Sequence, residues 1–314
     1  MINFLRTQPI YSFIFCLLLL LGMQAFAHLA HWETFNITHF ENIWLNFFTT
    51  TALVCTEIIL MYQITKIISV ARKESMLPSF LFLLVMFILM KYTSVSMHTH
   101  LGFIAWLGVL RLAFHLKRAQ HMLLLLTYTL ALCGTAFVAE SFWLYLFLLP
   151  IVFFSPFAEM RYFLLWVFAL CLWTLYDVYF HALGLPHYAY ATLKSTFKPF
   201  YHTYFLANTD FWQKALLGLF VGALALAVFT HFAQQQKARK SIERSVRWQF
   251  FLLMLGSIVP VLFIQNTATF FWLMTSLAWS FWISYAFIAL DKLWQEILLL
   301  LIALFVGVLL FVPL

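Results

Sequence analysis

Apolar side chains run along this chain in long blocks, separated by short stretches that carry the charges, histidines and turn formers. Each block approaches the ~20 residues that a helix needs to cross a bilayer core. The blocks predict helices near 9–27, 43–64, 76–94, 97–115, 121–138, 141–158, 162–181, 212–232, 247–265, 267–290 and 293–312. Three depart from a clean apolar run. The block 97–115 is short and contains Arg111, and the pair 121–138 and 141–158 turns tightly around Glu140. The expected fold class is all-α, a polytopic transmembrane bundle of about 11 spans, forming a single integral membrane domain over residues 1–314.

Lysine and arginine are unevenly sorted between the two sets of connections that alternating spans create. One side collects Arg6, Lys66, Arg72, Lys73, Arg111, Lys117, Arg118, Arg161, Lys237, Arg239, Lys240, Arg244, Arg247 and Lys292. The other keeps Lys91, Lys194, Lys198 and Lys214, so the 18 basic residues divide 14 to 4. Cytoplasmic loops carry the excess of Lys and Arg, which makes the N-terminus cytoplasmic and Leu314 external. Adding or removing a single helix would scramble that division.

Composition closes off other classes. With 65% hydrophobic and 9% charged residues in 314, the chain is unlike a soluble domain. Its 38 Phe, 12 Trp and 13 Tyr are incompatible with disorder. The net charge of +7 follows from topology and sits in no nucleic-acid-binding module, so nucleic acid is excluded as a partner. Cys16, Cys55, Cys133 and Cys171 lie in apolar blocks without CxxC spacing and read as small hydrophobes. Ala25-Phe26-Ala27 satisfies the small-x-small rule for a signal peptidase, but the many later spans favour a retained first helix.

Ionisable groups at membrane depth are costly, so each marks a candidate site. Glu57 and Arg111 both lie toward the cytoplasmic ends of their helices and can pair; alternatively Arg111 snorkels and Glu57 is protonated or meets water. Histidine is sorted opposite to lysine and arginine. Eight of 11, namely His28, His31, His39, His98, His100, His181, His187 and His202, fall at or beyond outer helix ends. His28 with His31, and Asp177 with His181, have spacings that share a helix face. An outer polar site of His28, His31, His98, His100, Asp177 and His181 would suit proton transfer or a transition metal such as zinc, iron or copper, with Asp177 and His181 as the metal candidates. The structural alternative is amphipathic rings presented to headgroups. No motif calls for a cofactor. GxSxG, Walker-A, GxGxxG and aspartate-rich diphosphate motifs are all absent.

Two connections stand out. The outer loop 181–211 is aromatic and suits interfacial helices that can cover a cavity. The cytoplasmic stretch 234–247 is polar and basic; it reads as a solvated helix extension near anionic headgroups or as a docking site for a cytoplasmic or membrane protein partner. Membrane lipids are the other expected partners.

Four segments, FLRTQPIYSFIFCLLLLLG, YQITKIISVARKESMLPSFLFLL, LYLFLLPIVFFSPFAEMRYFLLWVFAL and IALDKLWQEILLLLIAL, carry a resemblance over nearly the whole chain. The shared motifs are an arginine after a proline-broken span and a basic-Trp-x-Glu cytoplasmic turn before the last helix. The chain resembles a family of multi-pass inner-membrane proteins of Bacteroidota that is known only as a domain of unknown function. The resemblance implies a Gram-negative inner membrane, and it carries over no catalytic residues. Three functional classes follow from the residues. The first is a non-enzymatic envelope-assembly component or transporter. The second is a membrane enzyme acting on a lipid-linked or lipophilic substrate through Glu33, Glu41 or Asp177, in the manner of a glycosyltransferase. The third is a histidine-liganded metal oxygenase. The first is the leading expectation.

Overall fold

A computed structural model describes residues 5, 8–30, 43–68, 75–93, 95–115, 120–153, 159–183, 210–235, 241–263 and 269–311. Those residues form α-helices α1 Pro9–Leu29, α2 Ile43–Ile68, α3 Leu77–Tyr92, α4 Met97–His115, α5 His121–Gly134, α6 Phe142–Phe153, α7 Met160–Ala182, α8 Phe211–Gln235, α9 Ser241–Phe263, α10 Thr269–Ala289 and α11 Lys292–Phe311. A helix falls on every apolar block of the sequence, and the described residues contain no strand. Six helices, α1, α2, α4, α7, α10 and α11, are each long and apolar enough to cross a membrane.

The exposed faces explain why this is a bundle for lipid. Helix α1 buries Ser12, Cys16, Leu20, Gln24 and Ala27, a stripe at near-four-residue spacing, while Ile10, Ile14 and Leu18 are exposed. Helix α11 likewise buries Gln295, Leu299, Ile302 and Val306 and exposes Leu300, Leu304 and Val308. A water-soluble helix would put charge on the outer face; here both faces are apolar and the buried one carries the amides. Such contiguous apolar surface would cause association in water and is at home in hydrocarbon. Helix α1 runs unbroken through Ala25-Phe26-Ala27, with Gln24 Oε1 accepting a 2.8 Å hydrogen bond from the Thr51 hydroxyl.

The chain divides into two units. The first contains Met1–His100, Thr209–Ala238 and Ser276–Leu314. Its centre is α3, whose residues Leu77–Lys91 are all buried and which packs on α1, α2 and α11. Helix α3 opens with Pro at the start of its first turn, where the missing N–H costs nothing, and the Ser75 hydroxyl accepts a bond from the Leu77 N–H at 3.2 Å. It closes on Lys91, whose Nζ donates to Leu310 O at 2.8 Å, and on Tyr92, whose hydroxyl donates to Leu309 O at 2.6 Å. A cation and a phenol thus fill carbonyls that the end of α11 leaves open. This contact brings the C-terminal ends of α3 and α11 together. The α10 residues of this unit, Ser276, Ser280 and Ser284, are buried, and the hydroxyls of Ser280 and Ser284 bond back to the helix at 2.7 and 2.6 Å.

The second unit contains Leu101–Asn208 and Arg239–Thr275. Its centre is α6, which contacts α5, α7 and α9. Without a hydrophobic drive between helices in lipid, association rests on packing and on hydrogen bonds. Both are visible here. Tyr145 stacks on Trp166 at 5.1 Å, its hydroxyl donates to Trp166 O at 2.7 Å, and the Trp166 indole donates back to Tyr145 O at 3.2 Å. Pro260 lies inside α9 and removes the N–H that would bond to Gly256 O. The Trp143 indole N–H takes its place at 2.8 Å. Gly256 also makes room for the Phe147 ring one turn further along α6: a Cβ there would stand 2.6 Å from Phe147 Cγ.

Several elements are shorter than the blocks that predict them. Helix α5 ends at Gly134, where Thr135–Phe137 turn and a 3-10 segment Ala139–Ser141 leads into α6. With 14 residues, α5 reaches only about 21 Å, less than the ~30 Å hydrocarbon core, and the residues after Phe153 of α6, 154–158, lie outside the described residues. Helix α9 begins at Ser241, so part of the basic stretch 234–247 is helical; residues 236–240 and most of the outer loop, 184–209, lie outside the described residues.

Candidate functional site

One face of α2 is buried along its length, through Asn46, Thr50, Val54, Glu57, Met61, Ile64 and Thr65. The spacing of three and four residues is an ordinary helical stripe, but its content is polar. Thr50 and Thr65 spend their hydroxyls on their own helix, donating to Asn46 O and Met61 O at 2.8 Å each. Glu57 cannot bond in that way. It sits near the middle of α2, about 21 Å from one end and about 16 Å from the other at 1.5 Å per residue.

Its partner is His100 in the first turn of α4. The Ser96 hydroxyl accepts from the Thr99 N–H at 3.2 Å, the geometry of a helix N-cap, and Ser96 O accepts from the His100 N–H at 3.2 Å. Capping starts the helix at a fixed residue and so fixes the direction of the ring. His100 Nδ1 lies 2.6 Å from Glu57 Oε1, and both side chains are fully buried. A contact this short needs one proton between the two atoms. With that proton shared and a second one on Nε2 the pair is net neutral, as carboxyl and imidazole or as carboxylate and imidazolium. The outer atoms, Glu57 Oε2 and His100 Nε2, are buried and have no hydrogen-bond partner among the described residues. An acceptor and a second ring nitrogen are therefore available to a proton, a water molecule or a substrate group.

The structure joins one residue from each of the two sets singled out in the sequence. Glu57 meets His100 where the sequence offered Arg111, and Arg111 is exposed on α4. The sequence gives no sign of this, because it places Glu57 toward the cytoplasmic end of its helix and sorts His100 with the outer histidines. Within the outer set, His28 and His98 are exposed, whereas His98 and His100 lie two apart in sequence and so on different faces of α4. On α7, in the second unit, Asp177 is half-buried and His181 exposed. His31, Glu33, His39, Glu41, His187 and His202 lie outside the described residues. Among the described residues no three His, Cys, Asp or Glu side chains are grouped to hold a metal ion. The four cysteines form no disulfide.

The sequence marks Lys91 only as an outer cation. It is 3% exposed and anchors α11, a role legible in sequence only as a lysine ending a wholly apolar run beside a tyrosine.

No protein-family model, no curated protein and no solved structure matches the chain.

Proposed function

We propose that the chain is a multi-pass transporter of a bacterial inner membrane in which the Glu57–His100 pair takes up and releases a proton during the transport cycle. The observation that carries this reading is the 2.6 Å contact between two fully buried ionisable side chains, each with its outer atom unpartnered among the described residues. A structural pair would saturate its remaining atoms, since an unsatisfied buried polar atom costs about 1–3 kcal/mol. Carboxylate and histidine at membrane depth are the groups used by proton relays in transporters and pumps. Gaining one further proton makes the neutral pair cationic and losing the shared one makes it anionic. Either charge is costly in low dielectric, so proton exchange favours a conformation that opens the pair to water or offers it a countercharge.

The orientation assigned to this transporter is N-terminus cytoplasmic and C-terminus outside, with spans odd in number. Helix ends within the first unit favour it. The outer ends of α3 and α11 meet through Lys91, as two spans running in the same direction require. The 14-to-4 division of lysine and arginine is unaffected if α5 and α6 form a re-entrant hairpin, since neither side loses a basic residue to the turn between them. The resemblance to the Bacteroidota inner-membrane family supplies the choice of membrane. In this reading the basic stretch 234–247 rests on cytoplasmic headgroups.

The test is a pH jump applied to wild-type protein in proteoliposomes on a solid-supported electrode, read as charge displacement. Wild type is expected to give a transient current that Glu57→Gln and His100→Asn abolish, with both variants monodisperse in detergent. No current in wild type, or an undiminished current in Glu57→Gln, overturns the reading.

A further inference from the structure

The second unit holds a groove of about 420 Å³ lined by His121, Arg161, Leu164, Leu165 and Phe168. Its volume is in the range of small-molecule sites. Its walls are the first residue of α5 and the first three turns of α7, and His121 packs on Tyr162, so these helices start at the same end and run parallel. Charge sorting makes that end cytoplasmic. The groove is built as a gradient along the helix axis: Arg161 and His121 at the mouth, then Leu164, Leu165 and Phe168 further in, with Leu164 61% and Phe168 50% exposed.

The mouth is unsatisfied. Arg161 is exposed, and no ion pair or hydrogen bond engages it among the described residues. His121 is held edge-to-face against Tyr162 at 6.1 Å, and its Nδ1 is buried without a hydrogen-bond partner among the described residues. The adjacent acid, Glu159, does not line the groove. The Arg161 guanidinium, the His121 ring and the positive ends of two helices border the same groove, and they complement a phosphate. The apolar floor behind them complements an acyl chain.

The geometry points to a site for one anionic phospholipid of the cytoplasmic leaflet, its headgroup phosphate on Arg161 and His121 and an acyl chain along Leu164 and Phe168. Basic pockets between membrane helices on the cytoplasmic side take acidic lipid headgroups for this reason. A zwitterionic lipid of the same chain length offers the same apolar contact, but its own ammonium opposes the two basic side chains. The inference is independent of the Glu57–His100 reading, which lies in the other unit.

Native mass spectrometry of the delipidated full chain, titrated with dioleoyl phosphatidylglycerol or dioleoyl phosphatidylcholine, tests it. Wild type is expected to bind the first lipid at least about tenfold more tightly at one site, the scale of one or two charge-assisted hydrogen bonds. Arg161→Gln is expected to erase the preference and His121→Gln to weaken it, while Lys292→Gln, an exposed cytoplasmic cation of the other unit, leaves it intact. Arg161→Lys keeps the charge and loses the fork, and is expected to fall between. Equal binding of the two lipids, full preference in Arg161→Gln or Arg161→Lys, or displacement of the bound lipid by millimolar inorganic phosphate overturns the proposal.

Discussion

Replacing His100 by leucine removes the hydrogen bond to Glu57 and leaves a fully buried carboxyl with no partner among the described residues. The size of the effect depends on what the carboxyl then does. Left ionised, it is a buried charge stripped of its partner, worth about 3–5 kcal/mol of stability; if it takes a proton, the loss is that of an unsatisfied polar group, about 1–3 kcal/mol. The converse change, Glu57→Met, orphans one nitrogen of a neutral imidazole and is expected to cost about 1–3 kcal/mol. The double variant, Glu57→Met with His100→Leu, removes both polar groups at similar volume, and apolar replacement of a buried pair is about neutral or stabilising. Stability should therefore be lost in each single variant and return to within about 1 kcal/mol of wild type in the double, a strongly non-additive cycle. Equilibrium unfolding of the purified protein in mixed SDS micelles, followed by tryptophan fluorescence, measures all four corners. The same double variant should be silent in the pH-jump assay, which separates folding from proton handling. Additive single losses would show that the two side chains are not coupled, and a double variant with wild-type current would remove the pair from the transport cycle.

Further predictions rest on the packing. Gly256→Ala drives a methyl into Phe147 Cγ, 2.6 Å from the ideal Cβ position, and is expected to destabilise by about 1–3 kcal/mol in the same unfolding assay, with Phe147→Leu recovering part of the loss. Trp143→Phe leaves the Gly256 carbonyl without the donor that replaces Pro260, and should cost about 1–2 kcal/mol; a loss of equal size in a Pro260→Ala background would refute the compensation. Lys91→Met opens the last carbonyls of α11 and is expected to cost about 1–2 kcal/mol, with Lys91→Arg closer to wild type. Ala136→Cys, at an exposed position of the turn between α5 and α6, should react with a membrane-impermeant maleimide added from outside if the two helices cross together, and resist it if they form a re-entrant hairpin.

The sequence by itself determined where helices form, because every span must satisfy its own backbone in lipid and so announces itself by length and apolarity alone. It determined the sorting of basic residues for a related reason: they sit in loops or toward helix ends, and the side of each depends only on counting helices. It also marked Glu57 as costly, from one acid in an apolar block. What supplied the partner was tertiary structure, since Glu57 and His100 are 43 residues apart and meet only where α2 packs on the first turn of α4. The same holds for the 113 residues between Trp143 and Gly256 and the 219 between Lys91 and Leu310. A membrane helix has a nearly uniform apolar surface, so its sequence carries little information about which neighbour it faces. Sparse polar contacts make that choice, and a polar atom's partner is defined only once the helices have packed.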